Sequence, residues 1–559
     1  MTSTHLNWSF FPVAGISINL QTLGYIALTA SAIFAFVSLL SKLYHEENKT
    51  SQAPPTISWK WFSKNKQVIG APYRAMLITE KYKPCYGDII QLSEPFKQRV
   101  VLNSSEVTSE VLEKQSGSSS DRPRNVMLVE MAGISSSITF RDHDEQHKKL
   151  RRVAASGLHS AAARSYANMH TSTTAFFLLG ILNRTTAQLD NGHNVIDMKL
   201  PHANYHSQAL LASIQDSIGR FIMRMTFGYI AKENDPVLQR QNLLVQDVVS
   251  NLGSHFWVND FPILRHIPSW FPGAGFKRHM EHIYSLRQQT IHETFEVVLH
   301  RALRGDILPV SYVSNLIELK GGRNISEDDA DLVRWTSNSM FAAGSTSTTA
   351  LVHNFIFAMC IRPEIAFKVQ AEIDAQVGRD RIPTLHDRSL LPYTEAVLQE
   401  VIRYYPVFPL GLEHVASEDI EVRGYRIKKG TIIEGNIWAL MHDPAVYPDP
   451  YTFNPERYLK ERPETDPRRF LFGFGRRICP GQHVANNGAF VMCAAFLSVF
   501  NISASEETMK KVEDCANEPW KMFKPYGAFE PIPFGCMITV RDQAAASVLE
   551  TCKETAIMT

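Results

Sequence analysis

Charge imbalance is the first thing this 559-residue chain lacks: 57 Lys and Arg stand against 56 Asp and Glu, a formal net charge of +1. With no basic cluster either, the composition excludes nucleic acid as an expected partner. Paired cysteines are missing too. The seven present (Cys85, Cys360, Cys479, Cys493, Cys515, Cys536 and Cys552) are scattered, with neither finger spacing nor a disulfide framework, which fits a reducing compartment. No Gly/Ser or Pro linker of useful length splits residues 60–545, and no internal repeat occurs. An array is thereby excluded, and one large, mainly helical domain is expected.

Charge is also absent from one end. No Asp, Glu, Lys or Arg precedes Lys42, and Ile18 to Leu40 is mostly apolar and long enough to cross a bilayer. A cleaved signal peptide would need a basic n-region and a shorter apolar run. Lys42, Lys49, Lys60, Lys64 and Lys66 all follow the span, so the positive-inside rule puts the bulk of the chain in the cytosol. The expected organisation is a lumenal N-terminus at 1–17 with one sequon, Asn7-Trp8-Ser9, and a single-pass anchor at 18–41. A linker at 42–58 with a stiff hinge at Ala53-Pro54-Pro55, a globular domain at 59–543 and a loose tail at 544–559 complete it.

What is there is organised around Phe472-Gly473-Phe474-Gly475-Arg476-Arg477-Ile478-Cys479-Pro480-Gly481. This is a glycine-punctuated loop followed by an apolar stretch, Val484 to Phe500, that suits a helix. Pro480 reads as the first helical residue. Cys479 then sits at a helix N-terminus, where free N–H groups and the dipole favour a thiolate. Gly475 and Gly481 allow positive φ or close approach to something flat. The plain alternative is a small core cysteine in an ordinary loop.

The spacing Phe-x-x-Gly-x-Arg-x-Cys-x-Gly, formed by Phe472, Gly475, Arg477, Cys479 and Gly481, resembles the haem-thiolate loop of the cytochrome P-450 superfamily. Further motifs stand in the family's order, and phrases of the early globule resemble fungal members of the O-methylsterigmatocystin oxidoreductase-like group. The resemblance implies the P-450 fold: mainly α with a small β-rich lobe, preceded by one N-terminal transmembrane helix in the endoplasmic reticulum membrane. It implies heme b (iron protoporphyrin IX) on Cys479 as axial thiolate, Phe472 beside it and Arg477 on a propionate.

Where the family has Trp-x-x-x-Arg, this chain has His147 and Arg151. The resemblance gives both to a propionate, His147 by donating a hydrogen bond; otherwise His147 to Arg152 is a solvated basic face, suited to an acidic redox partner. His414 matches another propionate position, against the alternative of a surface histidine. Asn125 to Thr139 would cover the substrate cavity, with Val407, Phe408, Leu410 and Tyr526 lining it. Glu400 and Arg403 lie at i and i+3 on a helix from Tyr393 to Tyr404. With Arg457 they match the family's structural Glu-Arg-Arg cluster, which locks the cysteine loop. Ile420 to Ile433 reads as three short strands with turns at Gly424 and Gly430.

A long central helix is capped by Ser326, carries Glu327, Asp328 and Asp329 in its first turn, and ends before Pro363. Mid-helix, Ala343 and Gly344 would leave room for haem and oxygen. Five hydroxyl residues follow, a poor helix interior and hence a candidate functional site. The family places an acid and an alcohol there to deliver protons. Here Thr346 stands where the acid belongs and Ser347 where the alcohol belongs, with Thr348 next. Thr346 cannot gather protons as a carboxylate does.

About 80 residues follow the cysteine loop, too few for a fused flavin reductase. The resemblance therefore implies NADPH-cytochrome P-450 reductase as a separate partner, with cytochrome b5 as a further donor. The expected function is hydroxylation or epoxidation of a hydrophobic small molecule, in fungal secondary metabolism (terpenoid, polyketide or indole). Two alternatives stay open: a haem-thiolate isomerase or dehydratase independent of NADPH, and a non-catalytic membrane haem-binding protein.

Overall fold

The computed structural model describes Leu28 and residues 52–57, 68, 70–94, 97–187, 204–252 and 256–557. The expected anchor at 18–41 lies outside the described residues apart from Leu28, as do residues 1–17 and most of the linker. Eight helices carry the architecture: α1 (Glu145–Leu158), α2 (Ala167–Ala187), α3 (Ser207–Phe227), α4 (Gly275–Ile291), α5 (Glu327–Cys360), α6 (Pro392–Tyr404), α7 (Gln482–Val499) and α8 (Gln543–Ile557).

Helix α5 is the axis. The Ser326 side chain accepts from the Asp329 N–H at 3.2 Å, and three acids in the first turn complement the dipole. Its 34 residues run about 51 Å before the chain turns ahead of Pro363. From Thr348 to Cys360 every residue is buried, so this half is wrapped on all sides. Helices α1, α3, α6 and α7 all pack on it.

Among the described residues ten strands form the β component: β1 (Thr56–Ile57), β2 (Ile89–Glu94), β3 (Lys97–Leu102), β4 (Asn204–His206), β5 (His414–Val415), β6 (Ile420–Val422), β7 (Tyr425–Ile427), β8 (Ile432–Gly435), β9 (Phe500–Ala504) and β10 (Gly535–Val540). A five-stranded sheet runs β1-β2-β3-β8-β5, built on the β2–β3 hairpin in which Ile90 faces Val101. The three strands read in Ile420 to Ile433 divide: β6 and β7 pair with each other, while β8 joins the large sheet beside β3. The Pro55 carbonyl accepts from Gln91 at 2.9 Å, tying the end of the Pro-Pro segment to the sheet edge.

The C-terminal segment departs from expectation. Residues 544–559 were expected to be loose, yet Gln543–Ile557 is helix α8, packed on α2. Ala545, Val548, Leu549 and Cys552 recur at i, i+3, i+4 and i+7 and form a stripe no more than 5% exposed. Leu549→Ala is expected to lower the unfolding free energy by about 2–5 kcal/mol, read by denaturant titration. A loose tail would leave it unchanged.

Candidate active site

The cysteine loop is held by its own backbone. The Cys479 N–H donates to the Phe472 carbonyl at 2.7 Å, and the Arg477 N–H to the Phe474 carbonyl at 3.0 Å. Gly475 has φ 52°, and a Cβ there would lie 2.3 Å from the Leu112 carbonyl oxygen, so no other residue fits. Helix α7 begins at Gln482 with Gly481 as its cap, so Pro480 precedes the helix and is not its first residue. The turn at Pro480 and Gly481 leaves the N–H groups of Gly481 and Gln482 to the sulfur, which accepts from both. Burial nonetheless pushes the Cys479 thiol up, outweighing those two donors and the Arg151 charge, against the expectation that the helix start favours a thiolate. A cation on the sulfur would reverse that balance.

Beside the loop, positive charge is gathered without a direct ion pair, although Asp121, Asp142, Asp144 and Glu413 lie near enough to act on it. The Arg477 guanidinium is buried and donates to the carbonyls of Ser120 (2.7 Å), Ile138 (3.2 Å) and Arg141 (2.6 Å). Arg151 donates to the Ile478 carbonyl at 2.7 Å, and Arg122 to backbone carbonyls at Thr139, Leu412 and Glu413. None of the three forms an ion pair with a described carboxylate. Burial and the neighbouring Arg477 pull Arg122 down to about 9; burial and Arg151 pull Arg477 down to about 10. His414 is buried, not a surface residue; its Nδ1 is 2.7 Å from the Ser119 carbonyl, and burial and Arg122 lower it to about 3.

His147 differs from expectation. Its Nε2 lies 2.7 Å from an Arg477 Nη and must accept, since guanidinium only donates. It therefore positions Arg477 and is not free to donate to a propionate. Its Nδ1 meets His143 Nδ1 at 3.2 Å, so the two rings continue the network towards the surface.

Open space adjoins the middle of α5. Ala342 and Ala343 are exposed and Gly344, Thr346 and Ser347 half-buried, although residues on either side are buried. The Ser347 hydroxyl donates back to the Ala343 carbonyl at 2.8 Å. Thr348 is turned into the core, about 100° round the helix from Ser347, so the two do not share a site. Gly344 serves helix packing: a Cβ there would lie 3.1 Å from Ile222 of α3. Val407 is buried and its carbonyl accepts from Phe529 at 2.8 Å, with Phe408 and Leu410 half-buried after it. Tyr526 is 51% exposed and its hydroxyl donates to the Gly70 carbonyl, which puts it at the surface instead of in a pocket wall.

Glu400 and Arg403 are fully buried and pair through two hydrogen bonds of 2.8 and 2.9 Å. Arg457 approaches the same carboxylate at 3.2 Å. The two guanidinium groups also bind the carbonyls of Met441, Pro448, Pro450 and Thr452, which fixes the chain leading to the cysteine loop. Sequence reasoning missed Glu464, which balances Arg457 at 2.5 Å, and Asn354, whose side chain joins α5 to the carbonyls of Tyr405 and Phe529. It also missed Arg122; the one signal was a cation locked before Pro123.

These residues fit a haem. Cys479 offers a sulfur ligand, Phe472 lies in its loop, and Arg122, Arg151, Arg477 and His414 would hold the propionates, since the carboxylates of Asp121, Asp142, Asp144 and Glu413 lie near these cations but pair with none of the three arginines.

The family model for Cytochrome P450 matches residues 54–526. The chain is 31% identical to cytochrome P450 monooxygenase claR of Ampulloclitocybe clavipes, over 85% of this chain and 84% of that protein. It is also 31% identical to cytochrome P450 monooxygenase ppsD of Aspergillus oryzae, over 84% of this chain and 85% of that one. A zebrafish cytochrome P450 solved with progesterone superposes with a TM-score of 0.64 at 23% identity, covering 84% of this chain and 99% of that one.

Glu400→Gln leaves two buried guanidinium groups undercompensated. It is expected to cost about 3–5 kcal/mol and to appear as loss of bound haem on gel filtration, with pigment retained by wild type.

Proposed function

The chain belongs to the cytochrome P450 family, and on that premise we propose that it is a membrane-anchored monooxygenase of a hydrophobic small molecule, fed with electrons from NADPH by a separate reductase. The observation that carries the reading is the half-buried Cys479 sulfur, set on two N–H groups beside arginines that form no ion pair with a described carboxylate. Haem bound there supplies dioxygen activation and oxygen transfer.

The chain's residues orient that chemistry. Gly481 and Gln482 fix the sulfur, and Arg122, Arg151, Arg477 and His414 hold the ring edge, with His147 keeping Arg477 in place. At Ser347 the hydroxyl proton is committed to the Ala343 carbonyl and must be released before it can serve an oxygen above it. Thr346 adds a hydroxyl but no carboxylate, so protons come through water or a polar group of the substrate.

Support for the membrane comes from two places. The uncharged run Ile18 to Leu40 suits a span, and Ile263 (73% exposed), Trp270 (79%) and Phe271 (47%) present apolar side chains on one surface segment. Lys148, Lys149 and Arg152 are exposed on α1 and suit an acidic reductase or cytochrome b5. The fungal relatives support, by analogy, a role in secondary metabolism.

Reduced protein with carbon monoxide is expected to show the red-shifted Soret band of thiolate ligation, and Cys479→Ala to abolish it; persistence of the band would overturn the ligand assignment. Product formation should require both NADPH and reductase. Turnover without either would favour isomerase or dehydratase chemistry.

A further inference from the structure

Helix α5 ends on a cysteine that meets a second one. His353, Phe357 and Cys360 stand at i, i+4 and i+7, one face of the helix. The Phe534 ring lies against the first two, 5.5 Å from the His353 ring and 5.0 Å from that of Phe357. Phe534 leads straight into β10. The Ser207 N–H donates to its carbonyl at 3.0 Å, continuing the ladder in which Gly535 lies opposite His206 and Cys536 opposite Tyr205. The two-residue period of the strand puts Cys536 on the same side as Phe534. The two rows therefore end on each other, and the thiols of Cys360 and Cys536 hydrogen-bond. They are 176 residues apart, so no spacing in the sequence announces them.

Two rigid elements impose this meeting. Cys536 sits in the middle strand of the β4-β10-β9 sheet, and the last turns of α5 are buried on every side. Cys493 and Cys552 are comparably buried, but neither meets a second thiol among the described residues. Cys360 and Cys536 are 2% and 1% exposed, a setting closed to charged and bulky reagents in both directions. The hydrogen bond to Cys536 and burial push the Cys360 thiol up, so thiolate is scarce and attack on an oxidant is slow. A disulfide formed there would be equally sheltered from thiol reductants.

We infer that Cys360 and Cys536 are a site of slow oxidative cross-linking, which the small, uncharged oxidant hydrogen peroxide closes into a disulfide stapling the end of α5 to β10. The first sulfur attacks one peroxide oxygen; the O–O bond breaks, leaving a sulfenic acid, and the other oxygen departs with the thiol proton as water. The second sulfur attacks the sulfenic sulfur; the S–O bond breaks, and the hydroxyl leaves with the second thiol proton as another water. The two thiols thus supply the two electrons that reduce the peroxide. The new bond closes a loop spanning most of the C-terminal third of the chain and so removes freedom from the unfolded state. None of this rests on the oxygenase reading.

The test is peptide mapping without reduction of the haem-loaded full chain. Accessible thiols are first blocked with iodoacetamide under native conditions, and the protein is then exposed to hydrogen peroxide and quenched with catalase. A peptide joining Cys360 to Cys536 is expected, lighter than its two halves by two hydrogen atoms and separated by dithiothreitol after unfolding, with Cys493 and Cys552 recovered as thiols. Cys360→Ser and Cys536→Ser should each abolish it, and the wild-type map decides alone if a variant does not fold. Oxidised wild type should also melt several degrees above the reduced protein. Recovery of both residues as thiols, or oxygen added to either sulfur with no joined peptide, overturns the site. A joined peptide with no rise in melting temperature overturns the staple.

Discussion

Desolvated positive charge that no described carboxylate pairs is the constraint on which the rest depends. Arg122, Arg151 and Arg477 converge from three distant segments, and backbone carbonyls satisfy their donors without neutralising them. Such an arrangement is stable only when an anion completes it. The Glu400 cluster shows the opposite solution in the same molecule. There the protein supplies its own carboxylates, from Glu400 and Glu464, and the network is closed. One set of arginines builds the scaffold and the other awaits a ligand.

Both sets were legible in the sequence to different degrees. Glu400, Arg403 and Arg457 are held by short helical and turn segments whose spacing is local, and the loop around Cys479 is a single continuous string. Helix α5 was legible from its cap and from Pro363. Arg122 was not, because its partners lie some 20 to 290 residues away in sequence, at Thr139 and Leu412. His147 was read as a donor to a propionate, but whether an imidazole donates or accepts is decided by the neighbour it meets, here Arg477. Helix α8 was missed although its stripe has helical period. Tyr526 and Gly344 were assigned by position in a pattern, whereas their surroundings send one to the surface and the other against α3.

The centre of α5 combines exposure with hydroxyl-rich sequence. Ser347 spends its proton on the backbone, and Ser345 and Thr349 are buried without partners. A carboxylate would be costly to bury on those two faces. Ala342 and Ala343, with Thr346 and Ser347 one turn on, meet open space, and that is where the usual acid is replaced by a threonine. The middle of α5 therefore meets open space with hydroxyl groups and no fixed charge.

Helix α8 is made late, yet it covers a face of α2 synthesised more than 350 residues earlier. During vectorial synthesis that apolar strip stays bare until Gln543–Ile557 leaves the ribosome. The nascent domain thus carries a sticky surface through most of its translation, which makes chaperone attendance, and the placement of any fusion at the C-terminus, matters of yield.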